Sequence, residues 1–302
     1  MKDFDGIIKT ARGRGPKTMA VAVAQDTEVL SAVDMARKLG IADSILIGDK
    51  DEIAEVSEEC GIDIDKYEVI DVKDKNESSR RAVELVSAGK AHIVMKGLVD
   101  TSLVLKAVLD EKIGLRTGNV LSHVAVFSVA GYERLFYITD AAMNLAPDLA
   151  QKKQIIENAV QVANALGNGN PKVAVLAAVE KVNPKMQATV DAAELVRMNE
   201  EGEIKSCILG GPFALDIAVS AEAARHKGMT HPVAGHADIL MVPYIEAGNI
   251  LYKSMVYFAR AKIAGIIVGA KAPVVLSSRS DSDETKLNSI AVGALMADKC
   301  RH

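Results

Sequence analysis

The sequence predicts an α/β fold made of two α/β domains with parallel-rich sheets. Three observations carry the prediction. Short apolar runs alternate with helical patterns along almost the whole chain. Strands this apolar are buried on both faces, as in parallel sheets covered by helices. The 302 residues exceed what one hydrophobic core usually organises. The two alternating series are separated by a hairpin pattern, a long helix and GNGNP at 167–171, the clearest Gly/Asn/Pro punctuation in the chain.

Each element follows from its local pattern. TMAVAVA (18–24) reads as a strand and DTEVLSAVDMARKLG (26–40) as a helix, with Asp26 to cap it and Gly40 to end it. SILIG (44–48), a helix over 51–60, YEVIDV (67–72) and a helix over 77–88 repeat the unit. AHIVMKG (91–97) and a helix over 101–113 continue it. LSHVAVFSVAG (121–131) and RLFYITD (134–140) read as a hairpin closed by a tight Gly-Tyr-Glu turn. A helix over 148–166 follows. The second series is KVAVLAAV, a helix near 185–199, SCILGG, a helix over 215–227, DILMVPY, a helix over 248–263 and GIIVG. VVLSS (274–278) and an amphipathic helix close the chain. The expected division is 1–143 plus 273–302 for the first domain and 144–272 for the second, with a ligand cleft at their junction.

Composition narrows the function. A net charge of -4 and a pI near 5.9 supply no basic surplus for a phosphate backbone. With no Trp and only 4% aromatics, stacking platforms for single strands are missing as well. Cys60, Cys207 and Cys300 are odd in number and form no CxxC pair. That pattern suits a reduced cytoplasm rather than a disulfide scaffold or zinc site. MKDFDGIIKTARGRG is too polar for a signal peptide, and no apolar run approaches the roughly 20 residues of a membrane span. The expectation is a cytoplasmic soluble protein with no nucleic-acid or membrane partner.

The richest polar stretch is SSRSDSDETK (277–286), where the last strand hands over to the last helix. Ligands of open α/β sheets sit at such carboxyl ends, facing the unpaired N–H groups of helix N-termini. Ser282, Lys286, Ser289 and Gly293 would share one stripe of that helix, opposite Leu287, Ile290, Ala291 and Ala294. A helix cap is the simpler reading, because Asp281 and Glu284 have capping-box spacing. It leaves Arg279 unexplained. A guanidinium beside a helix start opposes the dipole unless an anion sits there, so the stretch reads as an anion site.

Four further stretches end strands or open helices. Lys96 stands at a strand end, with Gly97 leaving the backbone open and Thr101 at the next helix start; a surface lysine is the plain alternative. Ser122 and His123 begin a strand, where a lone His is more often structural. Asp140 and Asn144 follow a strand, where turn formation explains them as well as function does. Gly211 and Pro212 mark a close backbone approach or a sharp turn. No dinucleotide GxGxxG, P-loop, HExxH, GxSxG or metal-ligand spacing occurs.

Taken together, these stretches resemble the phosphate acetyl/butyryl transferase family. KG at 96–97, SH at 122–123, TDAAMN at 139–144, GGPFALDIA at 210–218, HPVAGHADILMVPYIEAGNILYK at 231–253 and SSRS at 277–280 occur in order. The chain is most similar to the phosphate butyryltransferase branch. The resemblance implies acyl-CoA + phosphate ⇌ acyl phosphate + CoA, with butyryl as the acyl group. It implies direct transfer in a ternary complex, with no metal or redox cofactor. It also implies two α/β domains like those of isocitrate and isopropylmalate dehydrogenases, with the active site in their cleft. An oligomer of at least two subunits and coupling to an acyl kinase are further implications.

Under that resemblance, Ser278 and Arg279 match the Ser-Arg pair that polarises and holds the acyl phosphate. Lys96, Thr101, Ser122, His123 and Lys286 become phosphate-binding candidates, and Asp140, Asn144, Gly211 and Pro212 line the substrate cleft. A base is needed because the CoA thiol has a pKa near 8.5, and the carbonyl oxygen needs donors already in place as it gains charge. The acetyl branch carries an Asp seven residues after the Ser, where this chain has Thr285. The base then falls to Asp281, Asp283 or Glu284. His236 likewise stands where that branch has Arg. The alternatives are a phosphate acetyltransferase, an NAD(P)-dependent decarboxylating hydroxyacid dehydrogenase of similar two-lobed fold, and a non-catalytic acyl-CoA sensor. The dehydrogenase would want an Asp cluster for a divalent metal and several Arg for carboxylates; neither is visible in the sequence.

Overall fold

The computed structural model describes residues 1–278 and 281–298. The chain forms two compact units, one of Phe4–Asn119 with the chain from Ile263 onward, the other of Met1–Asp3 with Val120–Lys262.

The first unit opens with α1 (Phe4–Gly13), whose buried Phe4, Ile7 and Ala11 make an amphipathic helix of a segment that its sequence marks only as too polar for a signal peptide. There follow β1 (Lys17–Ala22), α2 (Thr27–Lys38), β2 (Ala42–Gly48), α3 (Lys50–Glu59) and β3 (Glu68–Asp71). Then come α4 (Lys75–Ser87), β4 (Ile93–Lys96) and α5 (Thr101–Val108). Aspartate side chains cap three of these helices. Asp26, Asp49 and Asp74 accept N–H bonds from the first turns of α2, α3 and α4. Each such cap is worth about 1 kcal/mol. Gly40, at φ +70°, closes α2 in the left-handed region that L side chains avoid. β1 pairs in parallel with β2 and β4, and β2 with β3.

The second unit contains β5 (Ser122–Ser128), β6 (Phe136–Thr139), α6 (Leu149–Ala165), β7 (Lys172–Leu176) and α7 (Gln187–Glu200). It continues with β8 (Ile208–Phe213), α8 (Leu215–Val219), α9 (Ala221–His226), β9 (Ile239–Met241) and α10 (Ile245–Tyr257). Its strand order is β5-β6-β9-β7-β8. Only the β5–β6 hairpin is antiparallel. The hairpin loop is wider than the tight turn expected. It runs over 129–135, because the Arg134 guanidinium is held by the Tyr132 hydroxyl, the His236 carbonyl and Asp238. The helix expected over 215–227 is broken at Ser220. Gly235 and Ala237 donate to the carbonyls of Ile217 and Ala218, which ends α8, and the Ser220 hydroxyl restarts the chain by capping α9.

The chain then returns to the first unit through β10 (Lys262–Val268), β11 (Val274–Val275) and α11 (Asp283–Ala297). That unit's order is β3-β2-β1-β4-β11-β10. β11 is parallel to β4 but antiparallel to β10, since the short 269–273 connection leaves no room for a crossover. The units change over at 119/120 and 262/263, where the sequence pattern suggested 143/144 and 272/273. Hydrogen bonding explains the difference: β6 pairs with β9 in the second unit, and β10 pairs with β11 in the first.

α11 departs from its expected amphipathic form, being buried at every position from Lys286 to Ala297. It packs on α1 and α2 along one side and on β4 and β11 along the other. From Lys286 onward its supposed polar stripe is therefore core: Ser289 donates to Thr285 O and accepts from Gly265 N, and a Cβ on Gly293 would stand 2.8 Å from Val275 Cγ2. Among the described residues no helix is long and apolar enough to cross a membrane.

Candidate functional site

Two groups of candidate residues form, one in each unit. In the first unit the chain lays β2 and β3 to one side of β1, then places β4 on the other. Such a reversal of strand order is where open α/β sheets bind ligands, beyond the strands' carboxyl ends. Lys96 is the last residue of β4 and only 4% exposed. Its ammonium donates to the carbonyls of Gly97 and Val99, each at 3.2 Å. Gly97 has to be glycine, because a Cβ would lie 2.1 Å from Val23 O. Thr101 opens α5 directly beyond, after Asp100 at the N-cap position.

The neighbouring strand β11 leads into the serine-rich stretch. Ser277 is buried and Ser278 exposed. The Asp281 carboxylate accepts the Ser278 N–H at 2.7 Å, turning the loop back on itself. Lys286, 2% exposed, donates to Asp281 O at 2.5 Å and Ser278 O at 3.4 Å. A buried ammonium on α11 thus holds the carbonyls of Ser278 and Asp281. The expected capping box of Asp281 and Glu284 is not formed. Ser282 is the N-cap and accepts Thr285 N at 3.2 Å, because α11 starts at Asp283 and Asp281 is spent on the loop. Glu284 lies exposed in the first turn. Arg279, the residue that first suggested an anion, lies outside the described residues. The structure brings Lys96, Ser278, Asp281 and Lys286 to the ends of adjacent strands. Two buried ammonium groups and a helix start thus stand here beside the carboxylates of Asp281, Asp283 and Glu284.

In the second unit, antiparallel pairing sets the start of β5 beside the end of β6. Ser122 is fully buried, its hydroxyl accepting from Asn158 Nδ2 at 2.9 Å, so it fastens β5 to α6. His123 O accepts the Thr139 hydroxyl at 2.9 Å, and its ring meets Tyr252 edge-on at 6.0 Å. Asp140, 2% exposed, accepts four N–H bonds: Ala142 N and Met143 N on one oxygen, Asn144 N and Asn144 Nδ2 on the other, at 2.6–3.2 Å. Asn144 Nδ2 also donates to Leu121 O at 2.9 Å. Asp140 and Asn144 therefore fold the 140–144 loop, the ordinary reading of such residues after a strand. Gly211 and Pro212 lie within β8, which continues to Phe213 and is separated from β6 by β9 and β7. They do not join this group. At Gly211 a Cβ would stand 2.8 Å from Val175 O, which is the close approach expected of it.

The sequence reading did not single out Gly248, Asn249 and Tyr252, although all three lie inside the longest motif run. A Cβ on Gly248 would stand 2.6 Å from Asp140 O, so the glycine lets α10 press on the loop backbone. Asn249 Nδ2 donates to Ala141 O at 3.3 Å. Tyr252 packs on His123 and Phe127. The Gly-Asn pair one turn into a helix was the available signal.

Comparison with known proteins finds long, close relatives. The profile of the family described as phosphate acetyl/butaryl transferase matches residues 4–81 and 72–294. Phosphate butyryltransferase of Clostridium acetobutylicum is 52% identical over 98% of this chain and 99% of its own length. Phosphate acetyltransferase of Thermotoga maritima is 47% identical over 97% of this chain and 99% of its own. The crystal structure of a branched-chain phosphotransacylase from Enterococcus faecalis superposes with a TM-score of 0.82 at 37% identity, covering 93% of this chain and 99% of that one. With matches this long on both sides, the chain belongs to the phosphate acetyl/butaryl transferase family.

Proposed function

We propose that the chain is an acyltransferase interconverting butyryl-CoA + phosphate and butyryl phosphate + CoA. The observation that carries the reading is the pair of buried ammonium groups, Lys96 at the end of β4 and Lys286 in the first turns of α11, the helix that follows the neighbouring β11. A phosphate oxygen attacks the thioester carbonyl, the C–S bond breaks, and the departing thiolate takes a proton. In this scheme Lys96 and Lys286, with Thr101, favour phosphate binding. Ser278 and Arg279 stabilise the carbonyl oxygen as it gains charge. Asp281 is committed to the loop, so Glu284 is the proposed acid–base group. The second unit's candidates are Ser122 and His123, with Asp140 and Asn144 folding the 140–144 loop.

The proposal includes direct transfer in a ternary complex without metal or redox cofactor, a cytoplasmic location and passage of the acyl phosphate to an acyl kinase. Phosphate acetyltransferase activity is the second reading, favoured by the Thermotoga relative's name. The test is phosphate-dependent release of CoA thiol from acetyl-, butyryl- and longer acyl-CoA, with and without a chelator. Two extra buried methylenes at about 0.8 kcal/mol each predict roughly a tenfold higher kcat/KM for butyryl-CoA. A preference for acetyl-CoA moves the assignment to the second reading. Absence of phosphate-dependent release overturns the proposal, and activity abolished by chelator and restored by a divalent ion overturns its metal-free step.

A further inference from the structure

Ser122 and His123 are neighbours in sequence, but strand alternation turns them to opposite faces of the sheet. The Ser122 hydroxyl accepts from Asn158 of α6, whereas the His123 ring meets Tyr252 of α10 edge-on, the rings 6.0 Å apart and inclined at 66°. His123 is only 5% exposed and stands beside the end of β6, at the carboxyl ends of the unit's parallel strands. Open α/β sheets hold their ligands at that end. The backbone of His123 is fixed, because its carbonyl accepts the Thr139 hydroxyl. Its ring is not fixed by the strand, since χ2 of a histidine is a broad, two-fold torsion that packing has to settle.

Aromatic rings settle it. The chain has no Trp, six Tyr and five Phe, and it spends four of these rings on one line leading to His123. Tyr252 meets Phe127 edge-on at 5.6 Å, Phe127 stacks on Phe136 at 5.2 Å, and Phe136 meets Tyr132 edge-on at 5.6 Å. The Arg134 guanidinium closes the far end over the Tyr132 ring and is itself held by Asp238 and the His236 carbonyl. These separations and tilts are the ones aromatic pairs prefer. At the near end α10 is pinned along its axis: Gly248 presses the helix backbone on Asp140 O, and Asn249 donates to Ala141 O. Tyr252 lies four residues beyond Gly248 on the same face of the helix, so this contact delivers its ring to His123.

We infer, resting on the acyltransferase reading with His123 as a phosphate-binding group, that Tyr252 is a positioning residue of the transfer reaction. Its ring holds the His123 imidazole in the orientation that the reacting groups require. The strand places the imidazole and the helix aims it. Tyr252 needs no contact with substrate for this role; it supplies a flat wall across which the imidazole cannot turn. Removing the wall leaves acyl-CoA binding in place and misaims one polar group, and a small misplacement of such a group is costly in rate.

The experiment is steady-state, phosphate-dependent release of CoA thiol from butyryl-CoA and acetyl-CoA, with proton–carbon spectra of the histidine rings. The proteins are wild type, Tyr252→Leu, Tyr252→Phe, His123→Gln and the double variant Tyr252→Leu with His123→Gln. Tyr252→Leu should lower kcat about tenfold, keep KM for acyl-CoA within about twofold of wild type, and shift the His123 ring resonance. Tyr252→Phe keeps the ring and should recover most of that kcat together with the wild-type resonance. The double variant should be no slower than His123→Gln alone, because an imidazole that is gone needs no positioning. Phe127→Leu removes the support behind Tyr252; it should give a weaker form of the same signature, and it takes over the test if Tyr252→Leu does not fold. A wild type without phosphate-dependent release overturns the acyltransferase reading and this inference with it. In an active protein, normal kcat in Tyr252→Leu, normal turnover in His123→Gln, two losses that multiply in the double variant, or a Tyr252→Phe as slow as Tyr252→Leu would each overturn the inference alone.

Discussion

Replacing Asp140 by Asn tests whether this carboxylate builds the site or acts in it. The side chain is buried and its two oxygens accept four N–H bonds. An amide can keep its carbonyl oxygen on Ala142 N and Met143 N. Its NH₂ then faces the two donors of Asn144, and both bonds are lost. Hydrogen bonds to a charged acceptor are worth about 1.5–3 kcal/mol each, so a net cost of about 2–4 kcal/mol is reasonable after partial relaxation. At about 2–4 °C per kcal/mol for a large chain, Tm should fall by about 4–16 °C. Differential scanning calorimetry measures the shift, and the thiol-release assay run well below Tm measures what activity remains. Asn144 gives a companion measurement: Asn144→Ala removes one of the four bonds together with the neutral Nδ2 bond to Leu121 O, and with only one charge-assisted bond lost it should give a smaller shift. An Asp140→Asn protein with unchanged Tm but lost turnover would refute the loop-building role and put the carboxylate in the chemistry.

Two further outcomes follow. Lys286→Met keeps much of the buried stem but removes the ammonium that holds the Ser278 and Asp281 carbonyls; amide exchange of residues near 277–282 should speed up, and kcat/KM should drop by about tenfold or more. Unchanged exchange there would count against Lys286 as the group that holds Ser278 and Asp281. Asp110 accepts N–H bonds from Ile113 and Lys112 and a guanidinium bond from Arg80, which hold its carboxyl down at about 2 against 3.8. A depressed carboxylate contributes stability in full above its unfolded pKa and loses it as pH falls through the folded one. Acid titration should therefore show a stability loss between about pH 4 and pH 2 that is shallower in Asp110→Asn, and identical slopes would contradict it.

The elements were largely legible where local physics decides them. Asp26 before α2 and Gly40 after it behave as their types dictate, and Lys96-Gly97 could be placed at a strand end because the run before it is apolar and short. The errors arise where tertiary partners decide. Ser289 and Gly293 looked like a solvent stripe, since small residues at helical spacing do not reveal that α1, α2 and the sheet enclose the helix from both sides. Ser282 displaced Asp281 as the cap because Asp281 found a competing N–H on Ser278. The β5–β6 hairpin joined the second unit through its pairing with β9, about a hundred residues later, which no local pattern encodes.

Gly248 also governs how motion spreads. With room for no more than a hydrogen between the α10 backbone and Asp140 O, this joint has no play. Close-packed interiors pass displacement on rather than absorb it. A tilt of α10 by even a fraction of an ångström must therefore shift the 140–144 loop.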